Sequence, residues 1–241
     1  MELHRYDALP STNAAARAAA YSLAPEFYTV AANTQSAGRG RLTRRFFSPR
    51  GGTYFSVVLR PAFSPALYGA LTPFAALSVV RALEQCTGVS TEIKWVNDVL
   101  LDGKKLCGIL SESGTDKEGR PFVIVGIGIN TFSEPFPPEL SEIAVSLPYE
   151  DKDKLIGAVV EELSQYSVSI PSKTWQAEYR KRACFLGCSV LLIENGETRC
   201  VSALDIDENG ALIVKNEQGE RESVCGGEIS LRFGTAPEKT T

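Results

Sequence analysis

One loop of the sequence combines residue types that bind anions. Residues 35–41 read Gln-Ser-Ala-Gly-Arg-Gly-Arg, so two glycines alternate with two arginines. Glycine lets the backbone turn tightly and present its N–H groups, and arginine carries a permanent forked charge that suits phosphate and carboxylate. This composition indicates a site for a small anion, although a solvated basic loop or an RNA-binding arm shares it.

A second stretch places cations beside a carboxylate. Residues 94–98 read Lys-Trp-Val-Asn-Asp, and a hairpin turn at 102–103 leads into Lys104 and Lys105. Strand alternation should direct only one of these lysines inward. It should also place Lys105, Cys107 and Ile109 on one face and Leu106, Gly108 and Leu110 on the other. The alternatives are a lysine in solvent and, for Asp98, a turn cap.

A third stretch, residues 126–130, reads Gly-Ile-Gly-Ile-Asn at the end of an apolar run. It lacks the third glycine of a dinucleotide fingerprint and closes a strand instead of opening a helix. We predict a glycine-thinned strand against which a flat ligand lies, ending in the amide of Asn130. Tight packing alone is the alternative.

Composition excludes several classes of site. The chain has 241 residues and a single histidine, His4, which disfavours histidine-dependent triads. Its six cysteines include no C-x-x-C pair, so we expect reduced, mostly buried thiols, no zinc site and no metal-ligating residues.

Charge is concentrated in one part of the chain. Residues 27–83 contain seven arginines and no acidic residue, in a chain of net charge −4. A local positive field in an acidic protein favours an anionic small molecule over nucleic acid. Apolar runs such as 73–80 are shorter than the roughly 20 residues of a membrane span, and residues 1–10 do not resemble a signal peptide. We therefore expect a cytoplasmic protein without membrane association.

Hydrophobic periodicity predicts a mixed α/β domain over residues 1–185. A helix should begin at Ser11 or Thr12 as N-cap. The expected strands are 27–32, 53–59, 91–96, 99–101, 104–113 and 122–129, and the expected helices are 71–86, 155–166 and 173–184. Residues 34–52 form a long irregular loop, which is usually functional or mobile.

From about residue 187 the sequence becomes β-rich. Short runs are separated by turn signals at 195–196, 209–210 and 218–219. This spacing predicts a five-stranded barrel over 186–235, followed by a tail at 236–241.

Seven motifs in this order resemble the biotin protein ligase family. They are Ser-Thr-Asn at 11–13, Gln-x-x-Gly-Arg-Gly-Arg at 35–41, Phe-Ser-Pro at 47–49, Lys-Trp-x-Asn-Asp at 94–98, Lys-Leu-x-Gly-Ile-Leu at 105–110, Gly-x-Gly-x-Asn at 126–130 and Gly-Gly-Glu-Ile-Ser-Leu-Arg at 226–232. The resemblance covers residues 6–233. It implies an α/β (α+β) catalytic domain with a mixed sheet and flanking helices, followed by a small SH3-like β-barrel.

The resemblance also implies an activity. The enzyme would use ATP, biotin and Mg²⁺ to form biotinyl-5′-AMP and would transfer biotin to a lysine of a biotin carboxyl carrier protein, with a homodimer possible. Some members carry an N-terminal DNA-binding domain, for which this sequence leaves no room before the first motif. The expected type is therefore monofunctional.

The resemblance also implies roles for individual residues of this sequence. The implied biotin-binding residues are Ser11, Thr12, Asn13, Gln35, Gly38, Arg39, Gly40, Arg41, Lys105 and Gly108. The implied nucleotide-binding residues are Arg39, Arg41, Arg44, Phe46, Lys105, Asn130 and Arg232. The implied catalytic residues are Lys105, Arg39, Arg41 and Asp98, the last as the group that orients or deprotonates the acceptor amine.

Two positions depart from the family pattern, which usually has Pro at Val96 and Trp at Phe46. The first should alter only turn geometry, and the second keeps an aromatic lid without an indole N–H. The alternatives are a lipoate or octanoate ligase or transferase of the same fold and a non-catalytic biotin sensor. The hydroxyls and amides at 11–13 and Gln35 favour a ureido head group over a dithiolane or an acyl chain.

Overall fold

Two β-sheets organise the chain. The structure, a computed structural model, describes residues 2–41, 44–132, 134–194, 196–226 and 228–231. The larger sheet has seven strands in the order β1-β2-β3-β7-β6-β5-β4, and β1 pairs in parallel with β2 while the other neighbours are antiparallel. The strands are β1 Glu2–Tyr6, β2 Tyr28–Ala32, β3 Thr53–Leu59, β4 Glu92–Lys94, β5 Asp98–Leu101, β6 Lys104–Thr115 and β7 Pro121–Ile129.

Helices cover this sheet unequally. They are α1 Thr12–Tyr21, a 3-10 helix Pro65–Ala70, α2 Leu71–Thr87, α3 Pro138–Ser141, α4 Lys152–Ser164, α5 Tyr166–Ser172 and α6 Gln176–Arg182. The main core joins α2, α4, α5 and α6 to one face of the sheet. A smaller core joins α1 to the other face, and the rest of that second face carries the candidate site.

Helix α1 begins as the sequence predicts. The Ser11 hydroxyl accepts a hydrogen bond from the Ala14 N–H at 3.4 Å, which caps the first turn. Ala16 and Ala20 are fully buried against Val30 and Val58 of the sheet. These small side chains let the helix lie close to the strands, so its first turn reaches the open part of the same face.

Helix α2 is the main core element on the opposite face. The helical stretch Pro65–Thr87 has a mean hydropathy of 1.4 and is long and apolar enough to cross a membrane. However, 67% of the apolar part of this stretch is buried inside the molecule, as in the core helix of a globular domain. Gly88 ends the helix with a left-handed φ of 71°, the usual backbone of a helix C-terminus.

The smaller sheet has five antiparallel strands in the order β11-β10-β9-β8-β12. The strands are β8 Ser189–Glu194, β9 Glu197–Ile206, β10 Leu212–Lys215, β11 Arg221–Val224 and β12 Glu228–Leu231. The predicted fold class, an α/β domain with a mixed sheet followed by a small SH3-like β-barrel, is confirmed.

One turn of the barrel docks onto the larger domain. The carbonyl of Gly210 accepts a hydrogen bond from the Trp95 indole N–H at 3.0 Å. A Cβ atom on Gly69 would lie 2.7 Å from the Asn209 carbonyl oxygen, so this approach requires glycine. The Gln176 side chain also donates to the Asp207 carbonyl at 3.0 Å. The turn therefore packs against the strand segment that leads into the Asn97-Asp98 pair.

The structure differs from the local sequence predictions in several elements. Strand β1 was not expected, because its sequence is polar and it lies at the sheet edge, where burial imposes little alternation. The expected helix 173–184 is shorter, since Lys173 has a φ of 61° and ends α5 before α6 begins. Helix α5 was not predicted either, because Pro171 lies in its last turn and proline is unfavourable inside a helix.

A buried carboxylate ties the β6–β7 hairpin to the rest of the fold. The side chain of Asp116 is fully buried and accepts hydrogen bonds from the backbone N–H groups of Glu118 and Arg120 and from the guanidinium groups of Arg120 and Arg60, all at 2.9–3.0 Å. Arg60 also donates to the Ala20 carbonyl in the last turn of α1 and to the Ala24 carbonyl just after that helix. Burial acts to raise the pKa of Asp116, but these donors outweigh it and lower the pKa to about 2.

We expect Asp116→Asn to lower the melting temperature at neutral pH. Because the folded-state pKa lies below the ordinary value of 3.8, the stabilisation is full above that value and is lost as the pH falls through about 2. The wild-type advantage should therefore shrink between pH 4 and pH 2 in thermal unfolding. Glu118→Gln, at an exposed neighbour, is the matched control, and an advantage that persists unchanged at pH 2 would contradict this account.

Candidate active site

The candidate site is a pair of adjoining cavities on the open face of the larger sheet, beneath the loop 35–48. The first cavity has a volume of about 140 Å³ and the second of about 460 Å³. Of the predicted site residues, the first cavity is lined by Ser11, Thr12, Asn13, Gln35, Arg39, Gly40, Arg41, Arg44, Phe46, Asp98, Lys105 and Gly108. Arg44, Phe46, Asp98 and Lys105 also line the second, which Asn130 joins.

Buried polar groups at the start of α1 form one end of the first cavity. Ser11, Thr12 and Asn13 are each at most 6% exposed. The Gln35 side-chain oxygen accepts from the Thr12 N–H at 2.8 Å and from its hydroxyl at 3.2 Å, and the Gln35 amide donates to Ser48 at 3.0 Å. Ser56 of β3, which sequence reasoning missed, donates to Asn13 Oδ1 at 2.6 Å. Ser11, Thr12, Asn13 and Gln35 thus give this end uncharged donors and acceptors.

The loop above the cavity is internally hydrogen-bonded. The Gly40 N–H donates to the Arg44 carbonyl at 2.8 Å, and the Phe46 N–H donates to the Gly38 carbonyl at 2.9 Å. A Cβ atom on Gly38 would lie 2.6 Å from the Phe46 carbonyl oxygen, which explains glycine at that position. Gly38 therefore shapes the loop and is not among the residues that line either cavity.

The aromatic ring of Phe46 lies in the space left open on the sheet by Gly108 and Gly128, which have no side chains. Cβ atoms on Gly128 and Gly108 would lie 2.5 Å and 2.9 Å from ring atoms of Phe46. The ring packs edge-on against Tyr54 with 6.3 Å between centroids. The space predicted for a flat ligand is thus filled by the chain's own side chain in this conformation, and a ligand lying directly on these glycines would require the ring to move.

A β-bulge turns Lys105 into the site and corrects the predicted face. Leu100 pairs with Lys105 and Val99 with Cys107, so Leu106 is an extra residue in β6. Lys105 consequently shares a face with Gly108, whose Cβ atom would lie 3.2 Å from the lysine Nζ. The prediction that Lys105 faces the same way as Cys107 and Ile109 was wrong, because simple alternation does not anticipate the bulge.

The side chains of the two hairpin lysines diverge. Lys105 Nζ lies 2.6 Å from Asp98 Oδ1, and the two side chains are 34% and 21% exposed. Lys104 Nζ instead donates to the Ser141 carbonyl at 3.0 Å. Of these two lysines, only Lys105 lines the cavities. The buried Cys107 thiol points to the core, and burial raises its pKa, so it is not an available nucleophile.

Asn130 holds the backbone around Lys105. Its side-chain N–H₂ donates to the Lys105 carbonyl at 3.2 Å and to the Val145 carbonyl at 3.1 Å. Both hydrogens of the amide are therefore used within the chain, and only its oxygen remains to meet a ligand in the second cavity.

Glu112 is a further acidic residue that sequence reasoning missed. Its carboxylate accepts from Asn13 Nδ2 at 2.8 Å and lies 3.3 Å from a guanidinium nitrogen of Arg39. The signal was present, because alternation beyond the bulge places Gly108, Leu110 and Glu112 on one face of β6. The first cavity is also lined by Arg45, by Lys94 and, from the barrel, by Ile229. Arg232 and the predicted tail 236–241 lie outside the described residues.

Family models match both parts of the chain. Residues 8–130 match the biotin/lipoate A/B protein ligase family, and residues 185–232 match the biotin protein ligase C-terminal domain.

Individual proteins give the same result. The chain is 42% identical over 153 residues to the bifunctional ligase/repressor BirA of Bacillus subtilis, a match that covers 62% of this chain and 47% of that protein. It is 32% identical to the biotin–[acetyl-CoA-carboxylase] ligase of Mycobacterium tuberculosis over 84% of this chain and 79% of that one.

A solved structure is similar over nearly its whole length. The biotin protein ligase from Aquifex aeolicus in complex with biotin and ATP has a TM-score of 0.80 and 28% identity, over 96% of this chain and 98% of that one. The chain therefore belongs to the biotin protein ligase family.

Proposed function

We propose that this chain activates biotin with ATP to give biotinyl-5′-AMP and pyrophosphate and then transfers biotin to a lysine of a biotin carboxyl carrier protein. The observation that carries the proposal is the polarity of the first cavity. Its uncharged end at Thr12 and Gln35 suits a ureido ring, and its cationic end at Lys105 suits the carboxylate and the phosphate. Similarity to a relative named as a biotin–[acetyl-CoA-carboxylase] ligase and to a ligase solved with biotin and ATP supports it.

The first step joins two anions. A biotin carboxylate oxygen attacks the α-phosphorus of ATP, a new P–O bond forms, and the bond to the β-phosphate oxygen breaks as pyrophosphate leaves. Lys105, Arg39 and Arg41 offset the repulsion and stabilise the charge that develops. Lys105 must exchange Asp98 for the substrate anions, which its partial exposure permits.

The second step is aminolysis of the mixed anhydride. The acceptor amine attacks the acyl carbon, the bond to the phosphate oxygen breaks, and AMP leaves. Asp98, released from Lys105, is placed to orient the amine or to take its proton. We assign the biotin-binding role to Ser11, Thr12, Asn13, Gln35, Arg39, Gly40, Arg41, Lys105 and Gly108, and to Gly38 through the loop shape that it sets.

The second cavity suits the nucleotide. Arg44 and Phe46 line it, and Asn130 offers its amide oxygen there; Arg232, by resemblance, completes the set. Mg²⁺ binds one or two carboxylates together with phosphate oxygens. Asp98 fits that pattern, whereas the described residues contain no cluster of three His, Cys, Asp or Glu side chains. Mg²⁺ carried on ATP would neutralise phosphate charge.

The setting of the enzyme follows from the same proposal. We infer a cytoplasmic ligase whose partners are biotin, ATP and the carrier protein, with no nucleic-acid or membrane ligand and with a homodimer as a possible assembly. The monofunctional type stays a prediction.

We predict biotin-dependent exchange of labelled pyrophosphate into ATP without any acceptor protein. Step one is complete without the carrier, and its reversal returns label to ATP. Lipoate in place of biotin serves as the control, because it lacks the ureido groups that the head-group residues would pair with. Absence of exchange in folded protein, or faster exchange with lipoate, would overturn the assignment.

Lys105→Ala should slow this exchange by about a hundredfold or more, since it removes a cation from the point where both anions meet. Lys104→Ala should stay within about twofold of wild type, because its side chain bonds the Ser141 carbonyl instead. Steady-state exchange rates of the two purified variants make the comparison. Equal losses would mean that the bulge at Leu106 does not select between the lysines.

Arg41→Gly should form the adenylate but release it roughly ten to a hundredfold faster, because a charge-assisted hydrogen bond from the loop is lost while Lys105 remains. The escaped mixed anhydride should acylate lysines on an unrelated bystander protein, detected with streptavidin. Wild-type bystander labelling together with intact adenylation would show that Arg41 does not retain the intermediate.

A further inference from the structure

We propose that Glu112 is a specificity-determining positioning residue, which fixes the orientation of the Asn13 amide so that Asn13 presents only a hydrogen-bond acceptor to the ligand head group. The inference deepens the proposed function and rests on it.

The hydrogen bonds of Asn13 carry the argument. Its Nδ2 donates to Glu112 Oε2 at 2.8 Å and to the Leu110 carbonyl at 3.3 Å. An amide nitrogen has two hydrogens, so both are committed to the chain. Asn13 Oδ1 accepts from Ser56 at 2.6 Å and retains a second lone pair. Asn13 can therefore accept an N–H from a ligand in the first cavity but has none to donate.

Close packing keeps the Asn13 side chain in this position. Asn13 is 5% exposed, and a Cβ atom on Gly126 would lie 1.9 Å from its Oδ1. The amide thus fills the space that Gly126 leaves on β7. Within that space the remaining freedom is a flip that exchanges the amide oxygen and nitrogen.

The carboxylate at position 112 selects one of the two flip states. An ionised carboxylate only accepts hydrogen bonds, so it pairs with Nδ2 and repels Oδ1. Arg39 Nη1 and Arg17 Nη2 lie 3.3 Å and 3.7 Å from Glu112 Oε1, which places positive charge beside it. The side chain is 18% exposed, so this charge is partly shielded from solvent.

The consequence is selectivity for a head group with N–H donors. A ureido ring offers two N–H groups, whereas a dithiolane or a plain acyl chain offers none. A ligand without N–H groups leaves the second lone pair of Asn13 Oδ1 without a donor, so the site discriminates against it. Glu112 acts in this selection without touching the ligand, through Asn13.

A double-mutant cycle with isothermal titration of biotin alone tests the proposal. Glu112→Ala should weaken biotin binding about tenfold or more in the wild-type background but less than about twofold in an Asn13→Ala background, because the effect passes through Asn13. Glu112→Gln keeps an acceptor oxygen and should recover part of the loss. In pyrophosphate exchange, KM should rise for biotin and not for ATP.

Arg17→Ala is the matched control, since it faces the same carboxylate without contacting Asn13, and its biotin affinity should stay within about twofold of wild type. Additive losses in the cycle, an unchanged affinity of Glu112→Ala, or an equal rise in KM for ATP would overturn the inference. Wild-type protein that does not bind biotin would instead overturn the proposed function. Melting temperatures of all variants separate these outcomes from unfolding.

Discussion

An extra residue in β6 turns the Lys105 side chain out of the core and onto the face of the sheet that carries the cavities, where its ammonium group lies 2.6 Å from Asp98. A partly exposed pair of this kind contributes on the order of 1 kcal/mol or less to stability, so its importance lies in positioning the ammonium group. The Asn130 amide donates to the Lys105 carbonyl and fixes the backbone there. The ammonium group is thus presented to the pocket with a partner that an anionic substrate can replace.

The glycines of the site make room for the chain's own side chains. Gly126 admits the Asn13 amide, and Gly128 with Gly108 admits the Phe46 ring. The polar end of the pocket is therefore fixed by buried hydrogen bonds, while the aromatic group over the cationic end belongs to the loop above the cavity. A buried recognition end beside a loop that covers the cationic end fits the proposed reaction, in which a reactive anhydride must be retained between two steps.

Sequence patterns predicted the elements that local chemistry specifies. The Ser11 cap, the apolar β3 and the turn at 102–103 each carry their own signal, and the structure has them. The bulge at Leu106 could not be predicted, because it arises from the pairing of β6 with β5. The residue types around position 106 carry no signal for it. The same holds for the internal bonds of Asn130, whose partner at Val145 lies on a segment with no periodic pattern.

The barrel also contributes to the site. The Gly210 carbonyl in one of its turns accepts a hydrogen bond from the Trp95 indole N–H, and Ile229 lines the first cavity. Both parts of the chain thus contribute to one site. The most direct measurement is the intact mass of a biotin carboxyl carrier domain after incubation with the protein, biotin, ATP and Mg²⁺. We predict a gain of one biotinyl group on a lysine of that domain. An unchanged mass, with folded protein and all substrates present, would contradict the account.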